Sequence, residues 1–450
     1  MKKQLRNLML IASLVPTLAL AKGIDIEVTG QTVLYYETNQ DNGTGGAFDS
    51  GDMFSKDASE FQFGLQLGLG AYLGNGFNFQ SAIQYKGTSG LDQTIGTERQ
   101  AITSKSTTKN IADEIALSQI YLSKKFGNTL VKIGRQELSR AYYPFTYTEG
   151  WNVFKNSFEA FTVINTDIKD TTIVVASIGK SNNVAPFDTT TFAALKTTQE
   201  TNGNMNNGAR NATGVAYMAT IVNKSIPMTK VSVTAYSMEG VANTASTGNN
   251  MGVQAYWAAA NISDKDLPMG LNIGLQGGLI TTNGNDTGMA DTSALGTKVS
   301  LKPFPKATVS LAFTSVSGDD NKKNIAFKNF GTGIKTPLFT QMVYNQDNIA
   351  LDSNTFVAKL VYSLGTSGTI ITQYGMTSAG KSNIAGGSDY NEFDLMYKVK
   401  TTGGINCFIA YVNRDWDKRS TGALNAHGYL LTSYDTNVDH RIRMWARYNF

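Results

Sequence analysis

The chain has 450 residues, of which 39 are Lys or Arg, 35 are Asp or Glu, two are His and one is Cys. One cysteine excludes an internal disulfide, two histidines leave almost no material for a His-based triad or metal cage, and the balanced charge gives a nucleic-acid partner no support. A hydrophobic content of 41% and a mean hydropathy of -0.20 would suit a soluble protein, and they suit equally a membrane barrel whose lumen-facing half is polar.

At the amino-terminus, Lys2, Lys3 and Arg6 form a basic region ahead of an apolar core from Leu8 to Leu20, and Ala19-Leu20-Ala21 is a small-residue cleavage site. Residues 1–21 are therefore expected to be a cleaved signal peptide, with 22–450 a single barrel domain. The apolar core is too short to span a bilayer, and no later apolar run approaches spanning length.

Alternation then begins. Ile24, Ile26, Val28, Thr32, Leu34 and Tyr36 share one face, opposite Asp25, Glu27, Gln31 and Glu37. Phe61, Phe63, Leu65, Leu67, Leu69, Ala71 and Leu73 alternate with Glu60, Gln62, Gly64, Gln66, Gly68, Gly70 and Tyr72. After Asn75-Gly76, Phe77, Phe79, Ile83 and Tyr85 alternate with Asn78, Gln80, Gln84 and Lys86. The rhythm is ragged over 115–133 and returns at 251–257, 269–279, 307–313, 356–364 and 391–399. The glycines of 68–74 sit inside a strand and open no helix, which rejects nucleotide binding.

Connections alternate between short (75–76, 127–128, 167–170, 225–228, 263–268, 303–306, 365–367, 401–403) and long (39–59, 87–113, 136–156, 180–212, 315–354, 415–437). That asymmetry reads as periplasmic turns and extracellular loops, and counting joints gives about 18 strands in one all-β antiparallel transmembrane barrel. About eight strands would be filled by side chains, whereas about 16–18 leave an aqueous channel. Acidic loop pairs and triples (Asp41, Asp49 and Asp52; Asp286 and Asp291) lack calcium-loop spacing and read as solvated loop.

Two segments carry the expected function. The loop near 136–157 holds Arg140, Tyr142, Tyr143, Tyr147, Glu149, Trp151 and Lys155, and it is the expected inward constriction. The final strand ends at Phe450; Ile442, Met444, Ala446, Tyr448 and Phe450 share its apolar face, and Arg441, Arg443 and Arg447 share the other. By the same parity Lys86 and Lys132 face inward. Closure is expected to bring Asp25 and Glu27 beside Arg443 and Arg447, with Glu392 and Asp394 forming an opposing acidic wall and a transverse field. The aromatics Phe61, Phe77, Tyr85, Trp257, Tyr362, Tyr448 and Phe450 are assigned to the lipid-facing surface or its girdles.

The run Val131-Lys132-Ile133-Gly134-Arg135-Gln136, followed by Tyr143-Pro144-Phe145, Glu149-Gly150-Trp151-Asn152 and Lys155-Asn156-Ser157-Phe158-Glu159-Ala160, resembles the Opr family of outer-membrane porins, the OprD-type channels and related major porins. The resemblance extends from Val131 to Asp167 and continues elsewhere only as architecture. It implies a barrel of about 18 strands, often a homotrimer, with an inward third loop and, in some members, a ladder of wall arginines and lysines to which Arg135 is the one matching corner. The expected protein is thus a non-enzymatic porin, without cofactor or metal, in the outer membrane of a Gram-negative bacterium, passing small hydrophilic solutes and ions. Its other expected partners are outer-membrane lipid, lipopolysaccharide and, through Phe450, the barrel-assembly machinery. The rival readings are a channel specific for carboxylates or amino acids and a surface or adhesion protein with an incidental pore.

Overall fold

The computed structural model describes residues 25–41, 53–54, 58–88, 114–182, 192–200, 209–211, 215–242, 250–283, 288–383, 389–417, 423–424, 430–431 and 436–450. The expected signal peptide, His427, Asp49, Asp52 and Asp286 lie outside them. The chain forms a closed antiparallel barrel of 18 strands. The first nine are β1 (Asp25–Asp41), β2 (Ser59–Gly74), β3 (Phe77–Gly87), β4 (Glu114–Phe126), β5 (Thr129–Gln136), β6 (Phe158–Asn165), β7 (Thr171–Asn182), β8 (Ala216–Asn223) and β9 (Thr229–Ala242). The rest are β10 (Asn250–Ser263), β11 (Asn272–Asn283), β12 (Thr292–Phe304), β13 (Ala307–Val316), β14 (Ser353–Ser363), β15 (Thr369–Ala379), β16 (Tyr390–Lys400), β17 (Asn406–Asp417) and β18 (Thr436–Asn449). Each strand pairs with the next, and β18 returns to β1, so no backbone edge is left for lipid to cover.

Local chemistry explains the joints. Asn75 and Gly76 both have positive φ (51° and 79°), the mirror-image two-residue turn whose twist suits a hairpin. The ragged stretch is a bulge: Ala82 pairs with Gln119 and Ile83 with Leu117, and the extra residue, Ser118, turns its hydroxyl to the Ala82 carbonyl at 3.1 Å. At the seam, Phe450 and Gly30 exchange backbone hydrogen bonds of 2.7 and 2.9 Å. A Cβ on Gly30 would overlap the Phe450 ring, so the glycine makes room for the aromatic end of the chain.

The outer face carries exposed Val28, Leu34, Leu67, Ile133, Phe161, Val233, Leu295, Phe313, Leu395 and Ile409, a continuous apolar belt suited to hydrocarbon. The inner face divides into two. From β12 round to β1 it is rich in charge. From β6 to β11 it is apolar: Phe158, Val174, Ala176, Ile178, Met218, Tyr236, Met238, Val253, Ala255, Trp257 and Ile280 all point in and are buried. Trp257 is therefore not part of the outer girdle; it faces the lumen, and its neighbour Tyr256 is 43% exposed on the outside. The alternation was correctly legible, but its inward phase is apolar here because two loops cover this wall.

Those loops are residues 137–157, the third long connection, and 317–352, the seventh. Phe145 of the third loop is fully buried, stacked on Phe330 of the seventh loop at 5.2 Å and edge-on to Tyr236 and Trp257 at 5.7 and 5.6 Å. Leu138, Tyr143, Phe327, Leu338 and Ile349 complete the cluster. Phe145→Ala is expected to remove about 3–5 kcal/mol from the docking of the third loop. Limited proteolysis of the detergent-solubilised barrel should then cut 137–157 much faster, whereas Tyr217→Ala on the outer face should leave the rate unchanged.

Candidate channel and its constriction

From Gln136, at the end of β5, the chain turns inward because the next apolar residues find partners only inside the barrel. After Phe145 it crosses the lumen to the opposite wall. There Val153 and Phe154 pack on Val33 and Tyr35 of β1, against the side-chain-free position of Gly64. Trp151 meets Trp445 and Phe408 edge-on at 6.4 and 6.2 Å. The seventh loop lies against the third and reaches β16, so both loops narrow the lumen.

Glu149 ties one loop to the other. Its Oε1 accepts hydrogen bonds from Asn329 Nδ2 at 2.8 Å, Thr332 Oγ1 at 2.6 Å and the Lys335 amide at 3.2 Å. Burial raises the Glu149 pKa against the opposing pull of the Thr332 hydrogen bond and the Lys335 charge. Burial likewise lowers Lys335 to about 8, partly countered by Glu149. The Lys335 ammonium donates to the Val343 carbonyl at 2.6 Å and to Gln346 Oε1 at 3.0 Å, which shapes the segment facing β16.

The seam carries the densest charge. Register sets Glu37 of β1 opposite Arg443 and Val33 opposite Arg447. Glu37 accepts from Arg443 Nε and Nη2 at 2.7 and 2.6 Å, from Arg441 Nη1 at 3.4 Å, and from the hydroxyls of Tyr35 and Tyr344 at 2.5 and 2.6 Å. Arg441 also donates to Asp439 Oδ2 at 2.8 Å, and Arg414 of β17 pairs with the same carboxylate. Arg443 Nη1 reaches the Trp151 carbonyl at 3.3 Å, and Arg447 Nη2 reaches those of Asn152 and Val153 at 3.3 and 3.1 Å. The last strand's arginines thus hold both loops to the wall.

The expected acidic partners of that strand are different ones. Asp25 and Glu27 pair in register with Tyr72 and Gly70 of β2, beyond the end of β18, because the tilt of the strands offsets β18 along β1. Glu392 and Asp394 do not oppose the arginines across the bore. They lie on β16, two strands away on the same wall, and accept the amides of Tyr344 and Val343 at 2.9 and 3.3 Å. Arg135 shares its face with Ile133 and the outward belt, where it pairs with Glu159 at 2.9 Å and stacks on Phe192 at 3.9 Å. The bulge at Glu159 and Ala160 marks the same rim. Lys86 is inward and buried, Lys132 is inward over the Tyr121 ring at 4.2 Å, and Lys155 pairs with Glu137 at 2.9 Å.

Arg140 remains open, donating to the Pro337 carbonyl at 2.6 Å. Its charge bears on Lys298 of β12, and those of Lys298 and Lys398 of β16 bear on Lys359 of β14, opposed by the Asp394 carboxylate of β16. These four form a partly solvated cationic strip along alternate strands. Among the described residues, none of the four has a carboxylate within ion-pair distance. Sequence reasoning did not single out Lys298, Lys359, Lys398, Glu37, Arg414, Asp439 or Tyr344. The inward parity of Glu37, Lys359 and Lys398 was readable; for Tyr344, in an irregular loop, there was no such signal.

No protein-family model matches the chain, and no curated protein matches its sequence. Solved structures share its fold. Pseudomonas aeruginosa OpdO superposes with a TM-score of 0.65 at 14% identity, over 95% of this chain and 97% of that one. P. aeruginosa OpdK with vanillate gives 0.65 at 10% identity, over 94% and 98%. Acinetobacter baumannii OccAB4 gives 0.68 at 10% identity, also over 94% and 98%. The class defined by the fold is the 18-stranded transmembrane barrel, as the resemblance over 131–167 implied.

Two outcomes test the site. Glu37→Ala strands buried guanidinium charge and is expected to cost about 3–5 kcal/mol, read as a lower denaturant midpoint of the detergent-solubilised barrel. Glu27→Ala, exposed and away from these arginines, should stay within about 0.5 kcal/mol. Separately, a lysine lowered from 10.5 to about 8 contributes docking stability that is present above the upper value and lost as pH falls through the lower. Cleavage of 317–352, normalised to a peptide substrate, should therefore be slower at about pH 9 than at about pH 7, and Lys335→Met should abolish the difference.

Proposed function

We propose that this protein is an outer-membrane channel for small hydrophilic solutes with a preference for anions, narrow enough to be selective among them. The observation that carries the reading is the strip of Arg140, Lys298, Lys359 and Lys398, which has no carboxylate within ion-pair distance among the described residues and lies within a low-dielectric wall. Such a strip concentrates field lines and raises the local density of counter-ions, while ammonium groups on flexible stems release what they attract. The two loops packed into the lumen favour a restricted path over a general pore. The fold shared with OpdK, solved with vanillate, is consistent with a carboxylate among the solutes. Each step is diffusion past fixed charges, with no bond made or broken.

Planar-bilayer recording of the mature chain across a KCl gradient tests this. The expected result is discrete conductance with a reversal potential on the anion-selective side. Lys298→Glu combined with Lys359→Glu should move that potential towards cation selectivity. Cation selectivity in the wild type, or a double variant with unchanged potential, would refute the reading.

A further inference from the structure

Three guanidiniums on the β17–β18 wall converge on one ring, and the ring belongs to the seventh loop. The central carbons of Arg414, Arg441 and Arg443 lie 5.0, 4.8 and 4.9 Å from the centroid of Tyr344. The tyrosine hydroxyl donates to Glu37 at 2.6 Å beneath them. A ring face attracts cations electrostatically, and Arg441 and Arg443 are only 9% and 7% exposed. Arginines on the lumen side of a channel would otherwise be its most persistent anion-binding groups, since they never lose their charge and present a planar fork.

The segment carrying it is anchored beside the ring, with Val343 buried against Ile371, Met396, Phe408, Ala410 and Val412, so what is free to move is the Tyr344 side chain. The Tyr344 and Val343 amides donate to Glu392 and Asp394 at 2.9 and 3.3 Å, and Lys335 donates to the Val343 carbonyl at 2.6 Å. The charged groups facing Tyr344 are Glu37, Glu392, Arg414, Arg441 and Arg443, all from the wall, so the cage survives when the ring leaves.

We propose that Tyr344 is the gate and selectivity residue of the channel. Docked, it closes the arginine side of the lumen; withdrawn, it exposes three guanidiniums and an anionic solute replaces the ring. This rests on the channel reading above and goes beyond it by dividing the cations into a permanent strip and a gated cage.

The test is single-channel recording in KCl of the mature chain and of Tyr344→Ala and Tyr344→Phe, each shown to be folded by its heat-modifiable gel mobility. Tyr344→Ala should conduct at least about twofold more and shift the reversal potential further towards chloride. Tyr344→Phe keeps the ring and loses the bond to Glu37, so its conductance should match the wild type while openings become several-fold more frequent. If both variants retain wild-type conductance, selectivity and gating, the gate is overturned and the channel reading stands. A folded wild type that never conducts overturns both. Should Tyr344→Ala fail to fold, Tyr344→Phe decides alone, and an unchanged opening frequency overturns the proposal.

Discussion

One carboxylate sits where the barrel closes and where both inner loops arrive. Glu37 neutralises Arg441 and Arg443 across the β1–β18 seam and accepts the Tyr344 hydroxyl from the seventh loop. Charges removed from water are tolerated only when paired and hydrogen-bonded, and removing one partner leaves the other stranded. The seam, the placing of the third loop by the arginines that grip its carbonyls and the position of Tyr344 therefore depend on the same acid.

Around this centre the lumen is asymmetric. A wall of 18 strands encloses more space than its own side chains can fill, so whatever narrows the bore comes from the connections. The β6–β11 sector is apolar enough to receive Phe145, Phe327 and Phe330, which dock there with the packing of a soluble core. The sector from β12 to β1 carries the charge. The loops thus lie against one wall by the hydrophobic effect and are fixed to the other by hydrogen bonds and by the smaller clusters around Val153 and Val343, with the cationic strip on the charged side.

The cations themselves divide by chemistry. Planar guanidiniums on β17 and β18 engage carboxylates, carbonyls and the Tyr344 ring simultaneously, which suits them to hold structure. The ammonium groups of Lys298, Lys359 and Lys398 remain partly solvated, and Arg140 alone among the strip's members comes from a loop. Position in the wall, more than net charge, decides which of them can meet a solute.

The sequence by itself determined the barrel: period-two alternation, turn chemistry such as Asn75-Gly76 and the alternation of short and long connections are local properties that survive without tertiary information. It also singled out the segment 136–157 and put Arg441, Arg443 and Arg447 on one face. Parity, however, says only that two faces differ. Trp257 was assigned outward because apolar was equated with lipid, and that equation fails where a loop covers the wall. Register across the seam depends on strand stagger, a property of the closed sheet, so Asp25 and Glu27 were matched to Arg443, which in fact meets Glu37, and to Arg447, which meets the carbonyls of Asn152 and Val153. Arg135 was drawn inward by resemblance, while the pleat sets it outside with Glu159. Tyr344 lies in irregular chain whose course is set only by what it packs against. The tertiary structure alone decided these contacts, because each joins residues far apart in sequence through a space that only the closed barrel creates.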